Sequence, residues 1–178
     1  MPLGRVVRPC PVCSRAGHRG GMTNIEPIQV TEHAEQPTAV LHERVPLGDL
    51  PQFFGRAYHA TMAAMQAQGL HPAGPPFSKY LGKPAGGVAE VEAGFPVSGP
   101  FSDADGVVAG ILPGGQVVEA THVGPYDTMQ HTYDEVMRYM GEHSLTPSDE
   151  MWEVYLSDPQ TEPDPATWRT QIFWPVAG

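Results

Sequence analysis

Apolar and polar positions alternate with a period of two in four short runs of the first half of the chain. These runs cover residues 28–35, 38–45, 77–81 and 88–95. Alternation of this kind, with β-branched and aromatic residues, is typical of strands. Between the second and third runs the apolar period changes to about 3.6, which predicts a helix that begins after Asp49 and ends at Gly69.

The second half of the chain repeats this order of elements. Strands are predicted at residues 107–112, 116–123, 151–156 and 168–176. The Pro-Gly-Gly segment that starts at Pro113 predicts a hairpin between the first two of these strands. In both halves the helix is preceded by an Asp with a Gln three residues on, a pattern that predicts a capping box. The pairs are Asp49 with Gln52 and Asp127 with Gln130.

Each predicted helix has one apolar face, which we expect to pack against the sheet. In the first helix this face consists of Leu50, Phe53, Phe54, Ala57, Tyr58, Met62 and Met65. In the second helix it consists of Met129, Thr132, Tyr133, Val136, Met137 and Met140.

Short sequence matches also recur in the same order in the two halves. Arg44-Val45 with Asp49 to Gln52 matches His122-Val123 with Asp127 to Gln130, Leu70-His71-Pro72 with Phe77 to Leu81 matches Leu145-Thr146-Pro147 with Trp152 to Leu156, and Phe95-Pro96-Val97 matches Trp174-Pro175-Val176. The sequence therefore predicts two repeats, at about residues 25–97 and 107–176. The predicted fold is α+β, with two pseudo-symmetric βαββ repeats in one curved antiparallel sheet. We expect two helices on one face and a ligand cleft on the other.

The charge of the chain is acidic and unevenly distributed. The 178 residues include 10 Lys and Arg against 20 Asp and Glu, a formal net charge of −10. Residues 1–21 contain four Arg and no acid, so residues 22–178 hold 6 basic and 20 acidic groups, a net charge of −14. An acidic body disfavours nucleic acid and anionic membranes as partners, because both require clustered Lys and Arg. Neutral or cationic ligands fit it better.

Residues 1–21 are predicted to be a flexible basic leader outside the folded domain, which we expect at residues 22–178. Cys10 and Cys13, followed by His18, have the spacing of half a zinc site, so a zinc-binding leader is the alternative. No apolar run reaches the length of a membrane span, and no apolar stretch follows the basic residues as in a secretory signal. A cytoplasmic location is therefore expected.

Alternation within the seventh predicted strand separates its residues into two faces. Trp152, Val154 and Leu156 share one face, which we expect against the helices, whereas Glu153 and Tyr155 share the other. Ser78 and Tyr80 occupy the matching face of the first repeat. Pseudo-symmetry should bring these residues together in an open cleft, with Tyr126 closing one end.

Other motifs that would indicate chemistry are weak. The histidines form no metal-binding spacing, so surface and capping roles are expected, and no serine lies in a G-x-S-x-G motif. Gly114-Gly115 lacks the Lys-Ser/Thr of a phosphate-binding loop. The sequence predicts neither a metal nor a cofactor for the domain.

Three segments of the second repeat resemble the GyrI-like small-molecule-binding domains, which are related to the effector-binding domains of AraC-type and BmrR-type regulators. They are residues 123–127 before the helix, residues 152–159, and residues 168–176 with Trp174-Pro175-Val176 at the end. The resemblance covers roughly residues 25–176. It implies two βαββ units around a ligand cleft.

For the site, the resemblance implies a preference for bulky, aromatic, lipophilic cations, with Glu153 as the central counter-charge. The aromatic candidates are Tyr80, Tyr126, Trp152, Tyr155 and Trp174, and Ser78 lies beside them.

Two alternatives follow from the same resemblance. Some members resemble hydrolases that open the cyclopropane ring of DNA-alkylating natural products. In such an enzyme Glu153 would activate water, and Tyr80 or Tyr155 would donate a proton to the leaving group. Other members inhibit DNA gyrase, although no feature of this sequence indicates gyrase binding. No helix-turn-helix segment precedes or follows the domain, so we do not expect the chain to bind DNA itself.

Overall fold

The computed structural model describes residues 25–178, which form one sheet of eight antiparallel strands and two α-helices. The strands are β1 (Gln29–His33), β2 (Gln36–Pro46), β3 (Phe77–Tyr80), β4 (Val88–Pro96), β5 (Val107–Leu112), β6 (Gly115–Val123), β7 (Met151–Tyr155) and β8 (Arg169–Pro175). The helices are α1 (Leu50–Ala67) and α2 (Met129–Glu142). The leader and its zinc alternative lie outside the described residues.

The strand order is β1-β6-β8-β7-β3-β4-β2-β5. If each of β1 to β4 is exchanged for its counterpart among β5 to β8, the same order is obtained when it is read from the other end. The repeats meet at the centre, where β3 pairs with β7 and Ser78 lies directly opposite Glu153. The predicted α+β fold with two pseudo-symmetric repeats in a curved sheet is therefore confirmed.

The predicted hairpin at Pro113 is wrong, because β5 pairs with β2 and β6 pairs with β1. Each repeat thus contributes its first strand to the edge of the other repeat. The β5–β6 connection passes close to the β1–β2 connection, and a Cβ added to Gly114 would lie 2.8 Å from the backbone nitrogen of Glu35. Gly and Pro indicate where the chain turns, but not which strand then forms the hydrogen bonds.

Both predicted helices are confirmed, but the predicted capping boxes are wrong. A 3-10 turn leads into each helix, at Leu47–Asp49 and at Tyr126–Thr128. Asp49, at the N-cap of α1, has helical backbone angles (φ −99°, ψ −2°), whereas a capping side chain needs an extended backbone. Neither Asp49 nor Thr128, the N-cap of α2, makes a side-chain capping bond.

The helices cover the outer strands of one face and leave its centre bare. α1 packs on β2 and β4, with Phe53 and Ala57 buried against Val91. α2 packs on β6, with Val136 and Met140 buried. The central strands β3 and β7 therefore form the floor of a gap between the helices.

The ligand cleft was predicted on the face opposite the helices, and this part of the prediction is wrong. The opposite face is filled by its own apolar core, in which Trp152 stacks on Phe173 at 5.3 Å between ring centroids. Because the sheet curls, its outer strands bring Val40 and Val117 into this core. Glu153 and Tyr155 share the helix face, where Tyr133 of α2 contacts Glu153.

Candidate ligand-binding site

A cavity of about 900 Å³ occupies the gap between the two helices, a volume within the range of drug-sized ligand pockets. Its floor is formed by β3 and β7, and its walls by the helices and the loops beside them. It is lined by Leu50, Pro51, Phe54, Tyr58, Pro75, Pro76, Tyr80, Phe95, Tyr126, Asp127, Met129, Gln130, Tyr133, Glu153, Tyr155, Leu156, Ser157, Asp158 and Pro159.

The carboxyl group of Glu153 lies at the floor of this cavity and is only 3 % exposed. The hydroxyl of Tyr155 donates to its Oε2 at 2.6 Å, and the hydroxyl of Tyr133 donates to its Oε1. A third hydroxyl, that of Ser78, lies 2.6 Å from the hydroxyl of Tyr155. The four side chains therefore form one continuous hydrogen-bonded chain across the centre of the molecule.

Burial controls the ionisation of this group. Desolvation raises the pKa of Glu153 to about 7, and the hydrogen bond from Tyr155 opposes this rise only in part. The same desolvation, together with the charge of Glu153, raises the pKa of Tyr58, Tyr80 and Tyr155. These phenols stay protonated at neutral pH, so they can donate hydrogen bonds to a carboxylate.

Aromatic rings form a continuous wall around the carboxyl group. Phe54 and Tyr58, one turn apart on α1, stack with centroids 6.1 Å apart, and Tyr58 meets the edge of Tyr155 at 6.5 Å. On the other side, Tyr126 lies 5.9 Å from Tyr155 and 5.0 Å from Trp168. Tyr126 is 40 % exposed, so it forms part of the cavity mouth.

The position of Tyr126 depends on a buried histidine beneath its turn. His122, which is 2 % exposed, donates from Nε2 to the carbonyl oxygen of Pro125 at 3.1 Å. Its Nδ1 lies 2.7 Å from the hydroxyl of Thr132 on α2. His122 therefore connects β6 to both the Tyr126 turn and the helix. The surface or capping role expected for the histidines is wrong for this one, because it is buried and caps no backbone N–H of the helix.

The charge of the lining is entirely acidic. Asp127 and Asp158 lie at its exposed rim and Glu153 at its floor, and within residues 25–178 no Lys, Arg or His belongs to the lining. Within the described residues, no group of three His, Cys, Asp or Glu side chains is arranged to hold a metal ion. Acidic groups and aromatic faces together are a type of lining that suits a cation better than an anion.

The structure brings together most of the residues predicted for the site. Glu153, Tyr155, Tyr80 and Tyr126 line the cavity, and Ser78 lies beneath it, bonded to Tyr155.

Two predicted site residues lie elsewhere. Trp152 belongs to the core of the opposite face. Trp174 packs against two groups of buried apolar side chains, one that includes Val136 of α2 and one that includes Met129 of α2. Its Nε1 donates to the carbonyl oxygen of Ser148 at 2.9 Å. Neither tryptophan lines the cavity, because the cleft lies on the helix face and Trp174 is covered by α2.

Three aromatic residues of the site were not predicted from the sequence, because they belong to the apolar helix faces expected in the core. They are Phe54, Tyr58 and Tyr133. They are only half-buried, since each lies at the side of its helix that faces the gap. The signal was an aromatic residue at the edge of an apolar stripe, which periodicity alone does not separate from a core position.

A curved sheet with two helices that flank an aromatic, acidic cavity defines a small-molecule-binding module. The sequence signature of the GyrI-like small molecule binding domain matches residues 26–177, and the chain belongs to that family. Among the described residues, no helix is long and apolar enough to cross a membrane.

Known structures share the fold. EcmrR in a complex with DNA superposes with a TM-score of 0.76 at 21 % identity over 87 % of this chain, which spans 58 % of that longer chain. The C-terminal domain of EcmrR gives 0.68 at 22 % identity, covering 85 % of this chain and 97 % of the other. A search of curated proteins gives no match.

Two further structures, at lower identity, also share the fold. A hydrolase from Listeria innocua has a TM-score of 0.62 at 16 % identity, with 84 % and 91 % of the two chains covered. SAV2435 bound to tetraphenylphosphonium has 0.60 at 14 % identity, with 86 % and 95 % covered.

Proposed function

We propose that the protein binds bulky, aromatic, lipophilic cations in the cavity between its helices, with Glu153 as the counter-charge. One observation carries this proposal. A buried carboxyl group lies at the floor of an aromatic cavity whose lining contains no basic side chain.

The physical reason is the cost of a buried charge. An ionised carboxylate out of water is unfavourable unless it is hydrogen-bonded and paired with an opposite charge. Tyr133 and Tyr155 supply hydrogen bonds, but among residues 25–178 no Lys, Arg or His side chain lines the cavity to supply a cation. A ligand whose charge is spread over an apolar body can supply that charge and also contact the faces of Phe54 and Tyr126.

The comparisons are compatible with this proposal. SAV2435, which shares the fold, is bound to tetraphenylphosphonium, a lipophilic aromatic cation. EcmrR joins a domain of this fold to DNA recognition, whereas the acidic body of the present chain is not suited to phosphate contacts. A role in ligand sensing or sequestration is thus part of the proposal, and a cytoplasmic location stays a prediction.

The test is a calorimetric or fluorescence titration with tetraphenylphosphonium and rhodamine 6G at pH 8. Glu153→Gln should weaken binding by about a hundredfold, because a desolvated charge contact is worth about 3 kcal/mol. Glu119→Gln is the matched control, since this carboxylate accepts hydrogen bonds from Thr31 and Gln171 away from the cavity. If Glu153→Gln binds the cations as tightly as the wild type, the counter-charge role is wrong.

Hydrolysis is the second candidate, favoured by the pKa of Glu153 of about 7, which suits a general base at neutral pH. In this case Glu153 takes a proton from water, the water oxygen attacks a strained ring carbon of the substrate, and Tyr80 or Tyr155 donates a proton to the leaving group. Incubation with a cyclopropane-bearing alkylator, followed by mass spectrometry, tests this candidate. A ring-opened product that Glu153→Gln does not form would support it, and no turnover above buffer would exclude it. Gyrase inhibition, the third candidate, is tested by a supercoiling assay.

A further inference from the structure

The hydrogen bonds at the cavity floor can be donated in either of two directions, depending on whether Glu153 is ionised or protonated. With Glu153 ionised, Ser78 donates to Tyr155, and Tyr155 and Tyr133 donate to the carboxylate. With Glu153 protonated, its hydroxyl donates to Tyr155, and Tyr155 turns its own proton to Ser78. The 2.6 Å contact between the Ser78 and Tyr155 hydroxyls is compatible with either donor.

None of the described groups that face Glu153 carries a positive charge that would hold it in its ionised form. From every element around the cavity they are neutral hydroxyls or acids. They are Ser78 and Tyr80 of β3, Tyr155 of β7, Tyr58 of α1, Tyr133 of α2, Tyr126 and Asp127 of the 3-10 turn, and Asp158 of the β7–β8 loop. Among the described residues no basic side chain lines the cavity, so a proton neutralises the carboxylate when no cationic ligand is bound.

We propose that Glu153 exchanges a proton for the ligand's charge, so that the cavity takes two classes of ligand. Aromatic cations bind with release of the proton. Uncharged aromatic molecules that carry a carbonyl acceptor bind with the proton retained, because the hydroxyl of the protonated carboxyl group then turns from Tyr155 to the carbonyl oxygen of the ligand. This inference rests on the proposed function for the cation class and adds the neutral class and the proton exchange.

Burial supports this exchange at a useful pH. Because desolvation raises the pKa of Glu153 to about 7, both forms are populated near neutrality. A bound cation stabilises the carboxylate and lowers this pKa, whereas a bound carbonyl stabilises the acid and raises it. The two ligand classes should therefore show opposite dependence on pH.

The experiment uses N-methylacridinium, a cation, and N-methylacridone, an uncharged molecule of similar size with a carbonyl group. Both are fluorescent, and their dissociation constants are measured by titration of the whole protein at pH 5 and pH 8. Acridinium binds the ionised form of Glu153, and a pKa of about 7 sets the fraction of the protein in that form. Acridinium should therefore bind about a hundredfold more weakly at pH 5 than at pH 8. Acridone should bind about tenfold more weakly at pH 8 than at pH 5.

Proton release is measured directly by calorimetry at pH 6 in phosphate and in ACES, whose ionisation enthalpies differ. The difference in heat should correspond to nearly one proton released per acridinium bound and to almost none released per acridone. Glu153→Gln is the control, since an amide cannot titrate and can still donate to a carbonyl. In this variant both affinities should be independent of pH and acridinium binding should release no proton.

The outcomes separate the two proposals. If acridinium binds with the same affinity at both pH values and without proton release, the exchange is overturned while the cation-binding function stands. If acridone fails to bind, or binds with the pH dependence of the cation, the neutral class is overturned. If acridinium, tetraphenylphosphonium and rhodamine 6G all fail to bind at pH 8, the proposed function is wrong, and the cation half of the exchange is overturned with it.

Discussion

The two repeats provide the same backbone for the cavity but very different chemistry. Ser78 and Glu153 occupy equivalent positions and face each other across the centre of the sheet. Phe54 and Tyr133 are equivalent on the two helices, because each is the fifth residue of its helix. The second repeat thus contributes both the carboxyl group and the helix hydroxyl that bonds to it, while the first contributes a hydroxyl and an apolar ring.

This difference shows how a duplicated fold can form an asymmetric site. Both repeats supply walls, but the acidic side chains of the lining all belong to the second repeat, so the two sides of the cavity differ in charge. The connections between strand and helix differ in the same way. The second repeat uses the buried His122. The sequence match aligns His122 with Arg44, but the strand register, in which Thr38 pairs with Pro96 and Val117 with Pro175, aligns it with Glu43. Glu43 accepts two exposed hydrogen bonds from Arg56.

The largest expected effect follows from the carboxyl group that only the second repeat has. The pKa of Glu153 is raised from 4.5 to about 7, so the folded state holds a proton that the unfolded state loses. Its contribution to stability is therefore complete below about pH 4.5 and falls as pH rises to about 7, by about 3 kcal/mol. Glu153→Gln should remove this loss and raise the unfolding midpoint at pH 8.

Thermal unfolding of both proteins at pH 5 and pH 8 measures this effect. The advantage of Glu153→Gln should be clear at pH 8 and small at pH 5. If the unfolding midpoints of Glu153→Gln and the wild type differ by the same amount at both pH values, Glu153 does not titrate between them. The predicted dependence of stability on this carboxyl group would then be wrong.

The second effect concerns the buried connection to α2. His122→Ala should lower the free energy of unfolding by about 2 kcal/mol, because it leaves a cavity and removes the partner of the buried Thr132 hydroxyl. Urea unfolding measures this loss. Near-wild-type stability would show that the connection is not needed to hold the helix to the sheet.

The third effect makes the two helices alike at the cavity. Tyr133→Phe gives α2 the same aromatic ring that α1 has at Phe54 and removes one donor from Glu153. At pH 8 the variant should be about 1.5 kcal/mol less stable, because a hydrogen bond to an ionised group is lost. At pH 5 the loss should be smaller. A loss of the same size at both pH values would contradict an interaction with an ionised Glu153.

The smallest effect is expected at the exposed connection of the first repeat. Glu43 and Arg56 are ion-paired at 2.6 Å, but both side chains are largely open to solvent. Glu43→Gln should leave the thermal midpoint close to that of the wild type, since exposed ion pairs contribute little. A change as large as that of His122→Ala would mean that the two connections are equally important.

The sequence predicted the strands, helices and central residues because these depend on local patterns. Alternation located β3 and β7, and the match between their positions placed Ser78 on the same face of the sheet as Glu153. The strand register agrees, because Ser78 lies directly opposite Glu153. The prediction from turn residues was wrong at the β5–β6 connection, where Pro and Gly indicated a hairpin but β5 pairs with β2. Strand pairing depends on long-range contacts that turn residues do not encode.

By itself, the sequence determined the family, the two repeats, and one acidic residue among aromatic ones, because short motifs and periodicity are properties of neighbouring positions. Only the tertiary structure decided on which face the cavity lies and which aromatic rings line it. The curled sheet fills its opposite face with Trp152 and Phe173, so the space for a ligand remains between the helices. There Tyr133 of α2, 20 residues before Glu153 of β7, becomes its partner, because packing rather than sequence spacing brings the two side chains together.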